Sequence, residues 1–343
     1  MSKRYSNYEW LRIIAMACIV TSHFSVIGIQ DFEHIQGASH ILLHSYSSLG
    51  NLGVILFIFV SCYFLVDQHL TYRKSIQKAI RLTLTICLYD LVIWLTLSLV
   101  RGELIPRTNF GPFGDSYWFM RFYLVFILIS PLISDILERI GARNRMYLLL
   151  FLSIIFAVFY TTGFYHFPIE VERTLLFFYA YLCMDVLKEQ SPAIINSRRK
   201  GIYWMLAAII GIVVLQSFVY SDYNLLGLGD DADASFRLLH PLMLSLAMGI
   251  FTIFNYSDLG QNHTVNRIAA ATTGIYLVHE HPIARPLIWQ FVDQIHYHSL
   301  LQSLAISLLY SGIVFGGSLL ISLVLDTWIE KVLNKVSRLS SWL

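Results

Sequence analysis

The sequence predicts an all-α, polytopic membrane helix bundle with about ten transmembrane helices, and three observations carry that prediction. Of 343 residues, 56% are hydrophobic and only 13% charged, whereas an ordinary soluble domain is about a quarter charged. Apolar runs of bilayer-crossing length recur at about 9–29, 47–66, 79–100, 117–137, 147–165, 173–187, 201–220, 236–254, 268–290 and 300–325. Basic residues cluster between alternate runs: Lys3 and Arg4; Arg73, Lys74, Lys78 and Arg81; Arg139, Arg143 and Arg145; Lys188; Arg198, Arg199 and Lys200; Arg267; Lys331, Lys335 and Arg338. These are seventeen of the 24 lysines and arginines, and by the positive-inside rule they place both termini in the cytoplasm.

The first run, Asn7 to Gly28, carries Arg12 and His23 inside it. A charge at the centre of a membrane helix costs about 2.5–3.5 kcal/mol on insertion scales, so such residues need partners or a polar cavity. Their separation of eleven residues leaves only about 20° of rotation around a helix and a rise of roughly 16 Å. Both side chains therefore face one way at different depths, Arg12 near the cytoplasmic surface and His23 near the midplane. The alternative is that Arg12 snorkels to the headgroups and His23 hydrogen-bonds a neighbouring helix. Lys3 and Arg4 give the run the look of a signal peptide, but the interrupting charges make it a retained anchor.

Before the third run, positions 74, 78 and 81 recur at four and three, so Lys74, Lys78 and Arg81 share a helix face, with Arg73 beside them. Such a cluster suits a nucleotide phosphate, although positive-inside bias alone would put basic residues here. Asp90 follows inside the apolar run. The fourth run opens with Tyr117 and Trp118, which read as an interfacial aromatic belt or a sugar-stacking platform. Arg121 points into the membrane behind them and asks for a carboxylate, Asp115 or Glu280. In the ninth run, His279, Glu280, His281 and Pro282 follow one another in mid-membrane. Three polar side chains and a helix breaker there require a polar cavity.

The remaining features bound the function. No linker or low-complexity tract interrupts the apolar pattern, so residues 1–343 read as one membrane domain. A net charge of +2 in scattered clusters gives no reason to expect nucleic acid. Cys18, Cys62, Cys87 and Cys183 lie in apolar runs without ligand spacing, so they read as free thiols. His34, His40 and His44 in one outer loop, and Asp222, Asp230, Asp231 and Asp233 in another, read first as solvated groups; no metal is expected. Two functions stay open on residues alone: an enzyme with buried imidazole chemistry and a phosphate-bearing cosubstrate, or a proton-coupled secondary transporter using buried His and Glu.

Four segments, in order, resemble the acyltransferase 3 family of bacterial membrane proteins that O-acylate cell-envelope and exported sugars. LRIIAMACIVTSH fits that family's Arg-x10-His; KAIR at 78–81 falls where it usually shows Arg-x-x-Arg; SYWFMRFYLVFILISPLI fits its aromatic fourth span; GIYLVHEHP fits a late Tyr-Leu-x-His helix. The resemblance implies an acyl donor, acetyl-CoA, and a glycan or lipid-linked sugar acceptor at the bacterial plasma membrane. His23 is then the first choice of base, with Arg12 and His279 beside it in the chemistry. Lys78 and Arg81, with Arg73 and Lys74, would bind the CoA phosphates; Arg121, Glu280 and Trp118 would serve the acceptor side or a proton relay. Lys78 departs from the expected arginine, keeping the charge but losing the bidentate fork. Some relatives carry a fused extracytoplasmic domain, and this sequence is expected to work without one, alone, as a homodimer or with envelope-biosynthesis partners.

Overall fold

A computed structural model of the protein describes residues 6–32, 34–106, 111–162, 167–219 and 237–339. Among them the chain is all-α, with two short 3-10 turns and no strand. The helices are α1 (Ser6–Val26), α2 (Gly37–Val66), α3 (Tyr72–Arg101), α4 (Trp118–Thr162), α5 (Ile169–Gln190) and α6 (Arg198–Val219). There follow α7 (Pro241–Asn255), α8 (His263–Ala270), α9 (Thr272–His279), α10 (Ala284–Trp289) and α11 (Leu300–Leu339). Five are long and apolar enough to cross a membrane, α1, α2, α3, α4 and α11, and α7 is a shorter apolar helix. Lys3, Arg4 and the four loop aspartates lie outside the described residues.

Within α4 the fourth and fifth apolar runs are two helices that meet at a kink at Gly141, whose φ of 74° and ψ of 158° leave the helical region. The ninth run, expected as one span, is three pieces: α8 ends at Ala270, α9 restarts at Thr272 and stops at His279, and α10 begins at Ala284. Pro282 explains the second break, since it can neither donate to the preceding turn nor let its predecessor stay helical. Elsewhere the ends follow local chemistry. Thr71 caps α3 by accepting from the Lys74 amide, and Gly102, at φ 75°, closes it by donating to the Leu99 carbonyl. Pro241 sits at the first position of α7, where its missing N–H costs nothing, and the His240 ring accepts from the Leu242 amide.

The chain forms two compact units. The first comprises Met1–Ala15, Asn51–His69 and Leu132–Asn266. Its core includes Tyr8, stacked on Tyr63 at 4.9 Å and edge-on to Phe64 at 5.1 Å. Helices α6 and α7 press together at glycine: a Cβ on Gly249 would stand 2.6 Å from the Met205 nitrogen. Buried Arg145 is held by Asp185 at 2.7 Å and Glu189 at 2.6 Å.

The second unit comprises Met16–Gly50, Leu70–Pro131 and Arg267–Leu343. Here α9 lies against both α3 and α11. A Cβ on Gly274 would fall 2.0 Å from Ser322 Oγ and 2.3 Å from the Tyr89 hydroxyl, so only glycine admits this approach. Tyr117 is buried, its ring 6.2 Å from Tyr276 and its hydroxyl donating to the Leu277 carbonyl at 3.0 Å. The expected place for Tyr117 at the membrane interface is thus corrected: it anchors α9.

Candidate active site

The last turn of α9 carries His279, with Glu280 directly after it, and the second half of α1 carries His23. His279 and His281 are fully buried and Glu280 is 3% exposed. His23 Nδ1 approaches Glu280 Oε1 at 3.1 Å, and the rings of His23 and His279 lie 5.2 Å apart. The approach of His23 to Glu280 lacks hydrogen-bond alignment, and among the described residues His23 Nδ1, His279 Nε2 and Glu280 Oε1 have no hydrogen-bond partner. One ligand-type atom from each of the three residues lies within 4.8 Å of the other two. Three unsatisfied buried polar groups at one point are costly unless something else completes them. A substrate hydroxyl, a water or a metal ion of the zinc class would each do so.

The ring chemistry of His279 is fixed from behind. Its Nδ1 lies 2.6 Å from the Ile275 carbonyl, which can only accept, so Nδ1 holds the proton and Nε2 presents its lone pair. Neutral His279 is therefore a proton acceptor or ligand; it is not a donor to an oxyanion. Arg285, whose Nε lies 3.6 Å from Glu280 Oε1, completes the ionic surroundings. The carboxylate is thus set between an imidazole and a guanidinium.

His281 has a different task. Its Nδ1 accepts from the amides of Ile283 at 3.2 Å and Ala284 at 3.4 Å, so Nε2 carries the proton and donates to the Asp90 backbone carbonyl at 3.3 Å, with Asp90 Oδ1 3.1 Å away as its ionic partner. Asp90 Oδ2 in turn accepts from the Gly111 amide at 2.8 Å. Both members of this pair are fully buried. It ties the broken α9–α10 connection to α3 beside the residues that carry the cluster.

A second feature of this unit is a cavity of about 440 Å³ lined by Arg81, Tyr89, Arg267, Gly274, Asp326 and Glu330, among others. Arg81 is 3.9 Å from Glu330, both well exposed. Tyr89 donates to Asp326 at 2.6 Å. Arg73, Lys74 and Lys78 are exposed on α3 and do not line this cavity.

Of the residues singled out in the sequence, His23, His279 and Glu280 come together and Arg81 lines the cavity. Arg12 belongs to the first unit, where buried Glu9 accepts from it at 3.0 Å and the Phe64 ring lies 5.4 Å from its guanidinium carbon. Arg121 lies over the Phe122 ring at 5.6 Å, and Trp118 packs edge-on to Phe119 and Phe122. The four cysteines are free. Sequence reasoning missed Glu9, Arg285, Arg267 and the Asp90–His281 pairing. Glu9 had a signal, three residues before Arg12 on one helix face; Arg285 and the Asp90–His281 pair act across a helix break or between elements, which no local pattern records.

In comparison with known families, residues 5–326 match the model of a family described as an acyltransferase domain. No curated protein and no solved structure matches the chain.

Proposed function

The chain belongs to the acyltransferase 3 family, and on that premise we propose that this membrane acyltransferase moves an acetyl group from cytoplasmic acetyl-CoA to a sugar hydroxyl. The acceptor is a cell-envelope or exported polysaccharide, or its lipid-linked precursor, at the bacterial plasma membrane. The observation that carries the residue assignment is the buried convergence of His23, Glu280 and His279. Attack of a hydroxyl on a thioester needs a base whose unperturbed pKa is near neutrality, and imidazole supplies it.

In this reading His23 turns Nδ1 to Glu280 and leaves Nε2 for the acceptor. The acceptor oxygen bonds to the thioester carbonyl carbon while its proton passes to His23. The tetrahedral intermediate then collapses, the carbon–sulfur bond breaks, and the imidazolium returns the proton to the CoA thiolate. Glu280 orients His23 and stabilises its protonated form, as a carboxylate does for histidine in acyl-transfer triads. His279, with its lone pair inward, relays a proton and does not serve the oxyanion. Arg81, which lines the cavity from α3, attracts the CoA phosphates.

The test is transfer of radiolabel from acetyl-CoA into the glycan fraction of membrane vesicles that contain the protein. Label in glycan that depends on the protein supports the reading. Vesicles that hold folded protein and acceptor yet leave the label in acetyl-CoA overturn it.

A further inference from the structure

Arg267 closes α8 and projects to the cavity between α3, the α8–α9 junction and α11. Among the described residues it makes no ion pair, hydrogen bond or ring contact. Arg81 enters the same cavity from α3, held among the described residues by its 3.9 Å approach to Glu330, which is 70% exposed. A pair so long and so exposed is readily exchanged for another anion. Of the two carboxylates here, Asp326 is engaged by Tyr89 and Ser322. Two guanidinium groups from different elements thus line one polar hollow of about 440 Å³. Guanidinium forks are suited to phosphate oxygens.

Gly274 lines the cavity, and His279 lies five residues further along the same helix, a rise of roughly 7.5 Å.

We propose that Arg267, and not Lys78, is the partner of Arg81 in binding the phosphates of the acyl donor. This rests on the acyltransferase reading above. It names a nucleotide diphosphate thioester as the occupant of the cavity and assigns the second phosphate-binding cation to α8.

The experiment is calorimetric titration of acetyl-CoA into the full, detergent-purified chain, comparing wild type with Arg267→Ala, Arg267→Lys and Lys78→Ala, each checked for an unchanged melting temperature. Arg267→Ala is expected to weaken binding about 10- to 100-fold, the scale of a charge-assisted contact. Arg267→Lys should recover part of that loss, and Lys78→Ala should cost less than about threefold on the same scale. Wild-type affinity in Arg267→Ala, or a larger loss in Lys78→Ala, overturns the assignment while leaving the acyltransferase reading intact. Absence of saturable binding to folded wild type overturns both.

Discussion

Glu280 stands between His23 at 3.1 Å and Arg285 at 3.6 Å, and much of the proposed chemistry depends on that placement. Glu280→Gln keeps the shape but removes the charge facing the imidazole, so transfer should fall about tenfold or more while acetyl-CoA affinity stays within about twofold. Equal losses in turnover and donor affinity would instead make Glu280 a binding residue. Because His23, His279 and Glu280 could also hold a metal, chelation discriminates the two uses of one geometry. Transfer should survive dialysis against a strong chelator; loss restored by zinc would reassign all three residues as ligands. The three were legible in the sequence because an ionisable group inside an apolar run has a cost that demands explanation. Their supporting residues were not: Arg285 and Asp90 act across a helix break or between elements, and nothing local marks such a pairing. Tyr117 was misread because an aromatic near the end of an apolar run has the same signature whether it faces headgroups or a neighbouring helix.

The elements explain why the cluster can exist inside a membrane. Helix α9 is only eight residues long, and its ends free backbone groups that must be met internally. The Glu280 amide still reaches the Tyr276 carbonyl at 3.1 Å, while His281 caps the restart at Ile283 and Ala284. Close approach of α9 to α3 and α11 requires the bare Gly274 backbone. Gly274→Ala should destabilise the protein by about 1–3 kcal/mol through overpacking, read as a lower melting temperature. An unchanged melting temperature would show that Ser322 and Tyr89 yield freely. Hydropathy revealed that the ninth run was polar at its centre, and Pro282 announced one break. It could not show the break at Ala271, where no breaker stands, because apolar windows average across such joints. Between the fourth and fifth runs the polar stretch around Arg139 and Arg143 marks the joint itself, the kink at Gly141 where two helices meet.

On the scale of the whole molecule, the 13% of charged residues identified a membrane protein, and apolar runs of bilayer-crossing length made it all-α. Membership of the acyltransferase 3 family, over residues 5–326, accounts for the order in which the motifs occur. The distribution of lysine and arginine predicts that both termini face the cytoplasm. A fluorescent protein fused after Leu343 should therefore fluoresce and an alkaline phosphatase fused there should be inactive; the reverse would invert the orientation and move Arg81 and Arg267 away from cytoplasmic acetyl-CoA. The most direct measurement is the turnover of His23→Ala set against its donor affinity in the same purified preparation. Acetyl transfer should fall by about 10²–10⁴-fold, the range of a lost general base, with acetyl-CoA binding unchanged within about twofold. Turnover at the wild-type rate would remove His23 from the chemistry and contradict the account.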